Sequence, residues 1–300
     1  MRDIMLQVAV RMRSILGEGP CWDERSGHLY WIDILGPYIH RFDPSDGSVK
    51  TWSTGQAIGC LALRESSGLV CAMEQGIYSF DPERGAFARL IGRPDADLAN
   101  NRFNDGKCDP NGRFIAGTMS QDENEGHGDK TPAGTLFRVN PDWSVKALLK
   151  NVSISNGLAW SSDGRTLYFI DSPTRQVRAF DYDPKAGEIG KQRVAVDFHK
   201  ESGIPDGMTI DAEGRLWIAH WAGWRVSCWN PVSGEKLEEI MLPCQNVTCC
   251  AFGGCDLTDL YITTAVIGLD QDQQASQPDA GSLFCIKTQV PGLAPHRFAG

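Results

Sequence analysis

Among the dipeptides in this chain that pair an oxygen-bearing side chain with glycine are Glu18-Gly19, Asp105-Gly106, Asn156-Gly157 and Asp206-Gly207. Each precedes a short apolar run and then a turn, so the four stand in one register of a repeated phrase. Asp-Gly and Asn-Gly are ordinary turn dipeptides, and any one alone means little. A shared register means more. If the repeats surround a common axis, three carboxylates and one amide oxygen meet at one place. Packed carboxylates raise one another's pKa and destabilise a fold unless a cation neutralises them. An all-oxygen donor set suits Ca2+, Mg2+ or Mn2+, while Zn2+ and Fe2+ also accept carboxylates. One divalent metal ion is therefore the expected cofactor.

The elements that must bring these residues together are strands. The clearest copies of the phrase run from Glu18 to Asp33, from Asn156 to Asp171 and from Asp206 to Ala219; weaker copies begin near Gly59, at Asp105 and near Cys249. A second half also recurs, as in Ile39-His-Arg-Phe-Asp-Pro44, Ile77-Tyr-Ser-Phe-Asp-Pro82 and Val177-Arg-Ala-Phe-Asp-Tyr-Asp-Pro184. The apolar runs are short, rich in β-branched and aromatic residues, and bounded by Gly, Asp and Asn. Six units at roughly 40 to 50 residues are the period of propeller blades. The expected fold is an all-β, six-bladed β-propeller forming a single domain over residues 1–300. An open ring would leave sheet edges bare, so an N-terminal strand within residues 5 to 13 is expected to close the last blade. A pair of β-sandwiches would not produce six matching units. The innermost strand of each blade faces the central channel, which puts the polar-glycine register at its mouth.

Composition narrows the function classes. A formal charge of -9 and a pI near 5.2 exclude a phosphate-backbone partner, which needs clustered Lys and Arg. The apolar N-terminal stretch is too short and interrupted for a signal-peptide core or a membrane span, and a cytoplasmic location is expected. Of the ten cysteines, Cys60, Cys71, Cys108 and Cys228 lie singly in strand-like runs, and most of the ten read as buried thiols rather than a disulfide framework. There is no C-x-x-C pair, Gly-x-Ser-x-Gly elbow, phosphate loop or His-Glu-x-x-His pair. The six histidines occupy unrelated repeat positions and read as turn or surface residues. Trp22, Trp31, Trp160 and Trp217 fall in strand cores. Trp221 and Trp224 follow a blade's second strand, where they are candidates to line a pocket.

The ordered motifs resemble those of the gluconolactonase and regucalcin (senescence marker protein) family of six-bladed propellers. They are Leu16-Gly-Glu-Gly-Pro20, Asn101-Arg-Phe-Asn-Asp-Gly-Lys107, Ala116-Gly-Thr-Met119, Ser155-Asn-Gly-Leu158, Pro205-Asp-Gly207, Asn246-Val-Thr248 and Ala251-Phe-Gly253. The resemblance implies that Glu18, Asn156 and Asp206 are metal ligands and that Asp206 also serves as general base. It implies substrate contacts at Arg102 and Asn104, with Asp122 as a further contact and Glu123 competing for that role. The acidic, Gly-rich segment from Gln121 to Pro132 is expected to form a loop over the channel mouth.

The implied activity is metal-dependent hydrolysis of a sugar lactone to the aldonic acid. A lactone is a cyclic ester, and its hydrolysis builds negative charge on the carbonyl oxygen as water attacks. A divalent ion stabilises that charge and acidifies water; a carboxylate base typically contributes about 10² to 10⁴ in rate. Two other readings stand beside this one. One is a non-catalytic calcium-binding or interaction propeller, which has no need of Arg102 and Asn104 beside three converging ligands. The other is a different metal-assisted ester hydrolase, which would want a more apolar pocket and a histidine near the metal.

Overall fold

In the computed structural model, which describes residues 5–121 and 132–300, strands fall into six antiparallel sheets of four. Five sheets are each built from four consecutive strands. The sixth combines Val247–Gly253, Asp259–Thr264 and Leu283–Lys287 with the N-terminal strand Gln7–Val10. Gln7 pairs with Cys285 and Val8 with Phe284, so the chain's first strand covers the edge its last strand would leave open. The fold is the six-bladed β-propeller expected, closed where expected.

Sequence dictates position within each blade. Inner strands carry small and apolar residues: Ser155–Trp160 reads SNGLAW and every residue is buried. Outer strands carry charge: Lys236–Met241 reads KLEEIM and none of its residues is buried. The core is divided among six clusters, each spanning one junction between adjacent blades. Trp22, Leu29 and Trp31 of the first blade pack with Tyr261 and Leu283 of the last. Each such side chain contributes roughly 1.5 to 3 kcal/mol when withdrawn from water, and six junctions for six blades leave none unpaired.

All six inner strands share one irregularity. The register with the second strand shifts between Glu18 and Cys21, Ile58 and Cys60, Phe103 and Gly106, Asn156 and Leu158, Pro205 and Met208, and Val247 and Cys249. A β-bulge re-aims the side chains beside it and bends the strand, and here it falls on the repeated register each time. Glycine is required where inner strands touch. A Cβ on Gly157 would lie 2.6 Å from Met208 Cβ, and one on Gly207 2.3 Å from Cys249 Sγ.

Three features depart from or extend the sequence reading. His40 and His220 are buried rather than superficial, at 4% and 0% exposure. His220 sits against the Ser202 carbonyl (2.9 Å) and Ser227 Oγ (2.6 Å), and burial lowers its pKa to about 4, partly opposed by the Ser202 contact. The cysteines are all free thiols, eight of them buried. The C-terminal residues 289–300 strap across one end of the ring. Gly292 bridges to Asp211 and Phe298 to Arg64, Phe298 is fully buried against Phe114 and Trp143, and Arg297 pairs with Asp23 and Glu24. No helix among the described residues is long and apolar enough to cross a membrane.

Candidate functional site

At the channel end away from the C-terminal strap lies a cavity of about 450 Å³. Glu18, Arg102, Asn104, Asn156 and Asp206 all line it. They come from the inner strands Gly17–Asp23, Asn101–Cys108, Ser155–Trp160 and Ile204–Ile210, brought together from across nearly 190 positions of sequence by the ring. Apolar walls are supplied by Leu16, Ile34, Met119, Ile154, Ile204 and Ile267, with Trp221 beside them. Trp224 is 36% exposed and outside the lining. Asp122 and Glu123 lie outside the described residues, as does most of the segment expected to cover the mouth.

Asp105 departs from the register expectation. The bulge between Phe103 and Gly106 turns Asn104 into the large cavity, while Asp105 lines a second cavity of about 150 Å³ together with Lys107, Trp160 and Pro295. The converging set at the channel mouth is therefore two carboxylates and two amides, with a third carboxylate just beneath. Asp105 accepts from its neighbour Gly106 N–H at 2.7 Å, and its buried Oδ2 has no hydrogen-bond partner.

The electrostatics follow from burial. Desolvation, reinforced by the charge of Asp105, pushes the Glu18 carboxyl up to about 8. Asp206 is raised well above the carboxylate range by desolvation and then by Glu18 and Asp105, with an Asn156 hydrogen bond pulling the other way. Burial raises Asp105 as well, with Lys107 opposing. Arg102 is lowered to about 10 by burial, against the attraction of Glu18. Lys107 directs its ammonium to the Met208 carbonyl. Burial thus favours the neutral form of these carboxyls, and a bound cation would favour the ionised form.

The polar contacts are ordered. Arg102 donates to Asn104 Oδ1 at 2.7 Å and to the Phe103 carbonyl at 2.9 Å. Asn104 Nδ2 donates to the Ser155 carbonyl at 2.8 Å and to Asn156 Oδ1 at 3.1 Å. Glu18 Oε2 accepts from Gly19 N–H at 2.8 Å. Among the described residues no three His, Cys, Asp or Glu side chains cluster closely enough to enclose an ion, so a bound cation would need the Asn156 oxygen as well as Glu18 and Asp206. That donor set fits a hard divalent ion: all oxygen, two of the three anionic, set beside a cavity with room for further oxygen ligands. Ser172, which also lines the cavity, carried no signal in the repeat because it lies on the turn after a blade's second strand.

An all-β ring of six blades whose channel mouth gathers oxygen donors beside an arginine defines the class. The SMP-30/Gluconolactonase/LRE-like region matches residues 16–266, and the chain belongs to that family. It is 42% identical over 301 residues to regucalcin of Xenopus laevis, covering 100% of both chains. It is 38% identical over 288 residues, 96% of each chain, to a Bacillus subtilis (strain 168) protein provisionally named sugar lactone lactonase YvrE. The solved structure of regucalcin from Agrobacterium tumefaciens, described as a calcium-binding protein, superposes with a TM-score of 0.92 at 28% identity, covering 99% of this chain and 98% of that one.

Proposed function

We propose that this chain is a sugar lactonase that hydrolyses an aldonolactone to its aldonic acid, using one divalent cation held by Glu18, Asn156 and Asp206. The observation that carries the reading is the convergence of two buried carboxyl groups and an amide oxygen with buried Arg102 on one cavity. Membership of a family with a gluconolactonase and a sugar lactone lactonase among its names supports the reaction class. A relative described as calcium-binding supports a divalent ion.

When bound, the ion supplies Lewis acidity toward the ester carbonyl and lowers the pKa of coordinated water. The remaining work belongs to the chain. Asp206, ionised once the site is neutralised, accepts the proton from the attacking water. Arg102 can direct guanidinium hydrogens to substrate oxygens, a positioning role that needs no change in its own protonation. Asn104, held by Arg102, offers amide polarity beside it. The aliphatic walls meet the C–H faces of the sugar ring and limit stray water. A cytoplasmic setting suits the ten unbridged thiols.

The test is a pH-stat screen of gluconolactone, galactonolactone, xylonolactone and arabinolactone with Ca2+, Zn2+, Mn2+, Mg2+ and Fe2+. At least one pair is expected to turn over catalytically and to stop on chelation. Absence of turnover with every pair, or rates indifferent to chelator, would overturn the reading.

A further inference from the structure

Ser172 is 3% exposed and opens the short 3-10 turn Ser172–Thr174 that follows the second strand of the fourth blade. Its Oγ lies 2.8 Å from Asn156 Nδ2 and 2.7 Å from the Pro205 carbonyl oxygen. A carbonyl can only accept, so the one hydroxyl hydrogen goes to Pro205 and the hydroxyl has only lone pairs left for Asn156. The asparagine must therefore present its NH2 to Ser172 and its oxygen elsewhere.

The opposite end of the network demands the same sense. Arg102 can only donate, so Asn104 turns its oxygen to Arg102 and its NH2 to the Ser155 carbonyl and to Asn156 Oδ1. One directed chain then runs Arg102, Asn104, Asn156, Ser172, Pro205, crossing from the third blade to the fifth. A donor-only group begins it and an acceptor-only group ends it, so no interior member can reverse without leaving two donors or two acceptors face to face.

We infer that Ser172 is a positioning residue for the metal site: its hydroxyl fixes Asn156 with the amide oxygen free to bind a cation and ties that asparagine to the strand carrying Asp206. The inference rests on the proposed ligation by Glu18, Asn156 and Asp206. An amide is nearly isosteric with its own flipped form, and a flip would turn donor hydrogens on the ion in place of a lone pair. Asn156 Oδ1 has two lone pairs; Asn104 takes one and the second remains for the ion. Pro205 immediately precedes Asp206, so the same hydroxyl couples two ligands from adjacent blades. Groups that orient metal ligands through hydrogen bonds typically contribute about 10- to 100-fold in affinity.

The experiment is titration calorimetry of chelator-stripped protein with Ca2+ and with Mn2+, alongside thermal melts in chelator. Ser172→Ala is expected to bind the ion about 10- to 100-fold more weakly with its metal-free melting temperature close to that of the parent, and Ser172→Thr, which keeps the hydroxyl, to recover most of the loss. Should the alanine variant fold poorly, Ser172→Cys keeps the bulk with a weak donor and is expected to bind more weakly than the threonine variant. Parent-like affinity in a folded alanine or cysteine variant overturns the role of Ser172 while leaving the ligand assignment intact. A parent that takes up neither ion overturns the ligand assignment itself and this inference with it.

Discussion

Replacing Glu18 with glutamine isolates what the buried charge cluster costs the metal-free protein. The carboxyl titrates near 4.5 in an unfolded chain and near 8 in the folded one, chiefly because burial strips its water. A folded pKa raised above the unfolded value means that stability is intact below pH 4.5 and is lost as pH rises toward 8. At pH 7 the unfolded chain has released a proton the folded chain still holds, over about 2.5 pH units at about 1.4 kcal/mol each. That difference destabilises the metal-free fold by roughly 3 kcal/mol. Glu18→Gln does not titrate. In chelator it is expected to match the parent near pH 5 and to exceed it at pH 8 by several kcal/mol, a rise in melting temperature of about 5 °C or more. Excess divalent ion should reverse the order, since a ligand that binds only the folded parent stabilises it by mass action. Urea unfolding at pH 5 and pH 8, with and without ion, measures all four values. Equal pH dependence for parent and variant in chelator would refute the account of a strained carboxylate.

The other perturbations address single links. Asp206→Asn is expected to lower kcat by about 10² or more while weakening ion affinity less; comparable pH-stat rates at saturating metal would remove Asp206 from the base role. Gly157→Ala would set a methyl carbon 2.6 Å from Met208 Cβ and 2.8 Å from the Asp206 carbonyl. The inner strands of two blades must then part, and a loss of about 2 kcal/mol or more, with weakened metal binding, is expected in urea melts and calorimetry. Phe298→Ala empties a fully buried site between Phe114 and Trp143. A loss of about 3 to 5 kcal/mol is expected, read by thermal unfolding, and an unchanged midpoint would show that the C-terminal strap is dispensable to the ring.

The number of blades, the closure by an N-terminal strand and the register holding Glu18, Asn156 and Asp206 were all legible in the residues. These are consequences of local pattern repeated: alternation makes a strand, a polar-glycine pair marks its channel end, and identical units around an axis put equivalent positions together. The resemblance to the family added Arg102 and Asn104, which no spacing argument singled out. Tertiary structure decided the rest. The bulge at Phe103 to Gly106 exchanged Asp105 for Asn104 at the large cavity, because which of two adjacent side chains faces a cavity depends on one extra residue in the strand. Ser172 reached Asn156 from a turn 16 positions away, and Phe298 reached its pocket in the third blade from the end of the chain. Buried His220 likewise gave no sign along the sequence. Such contacts are set by where the ring folds back on itself, and a repeat, being periodic, carries no record of what is particular to one blade.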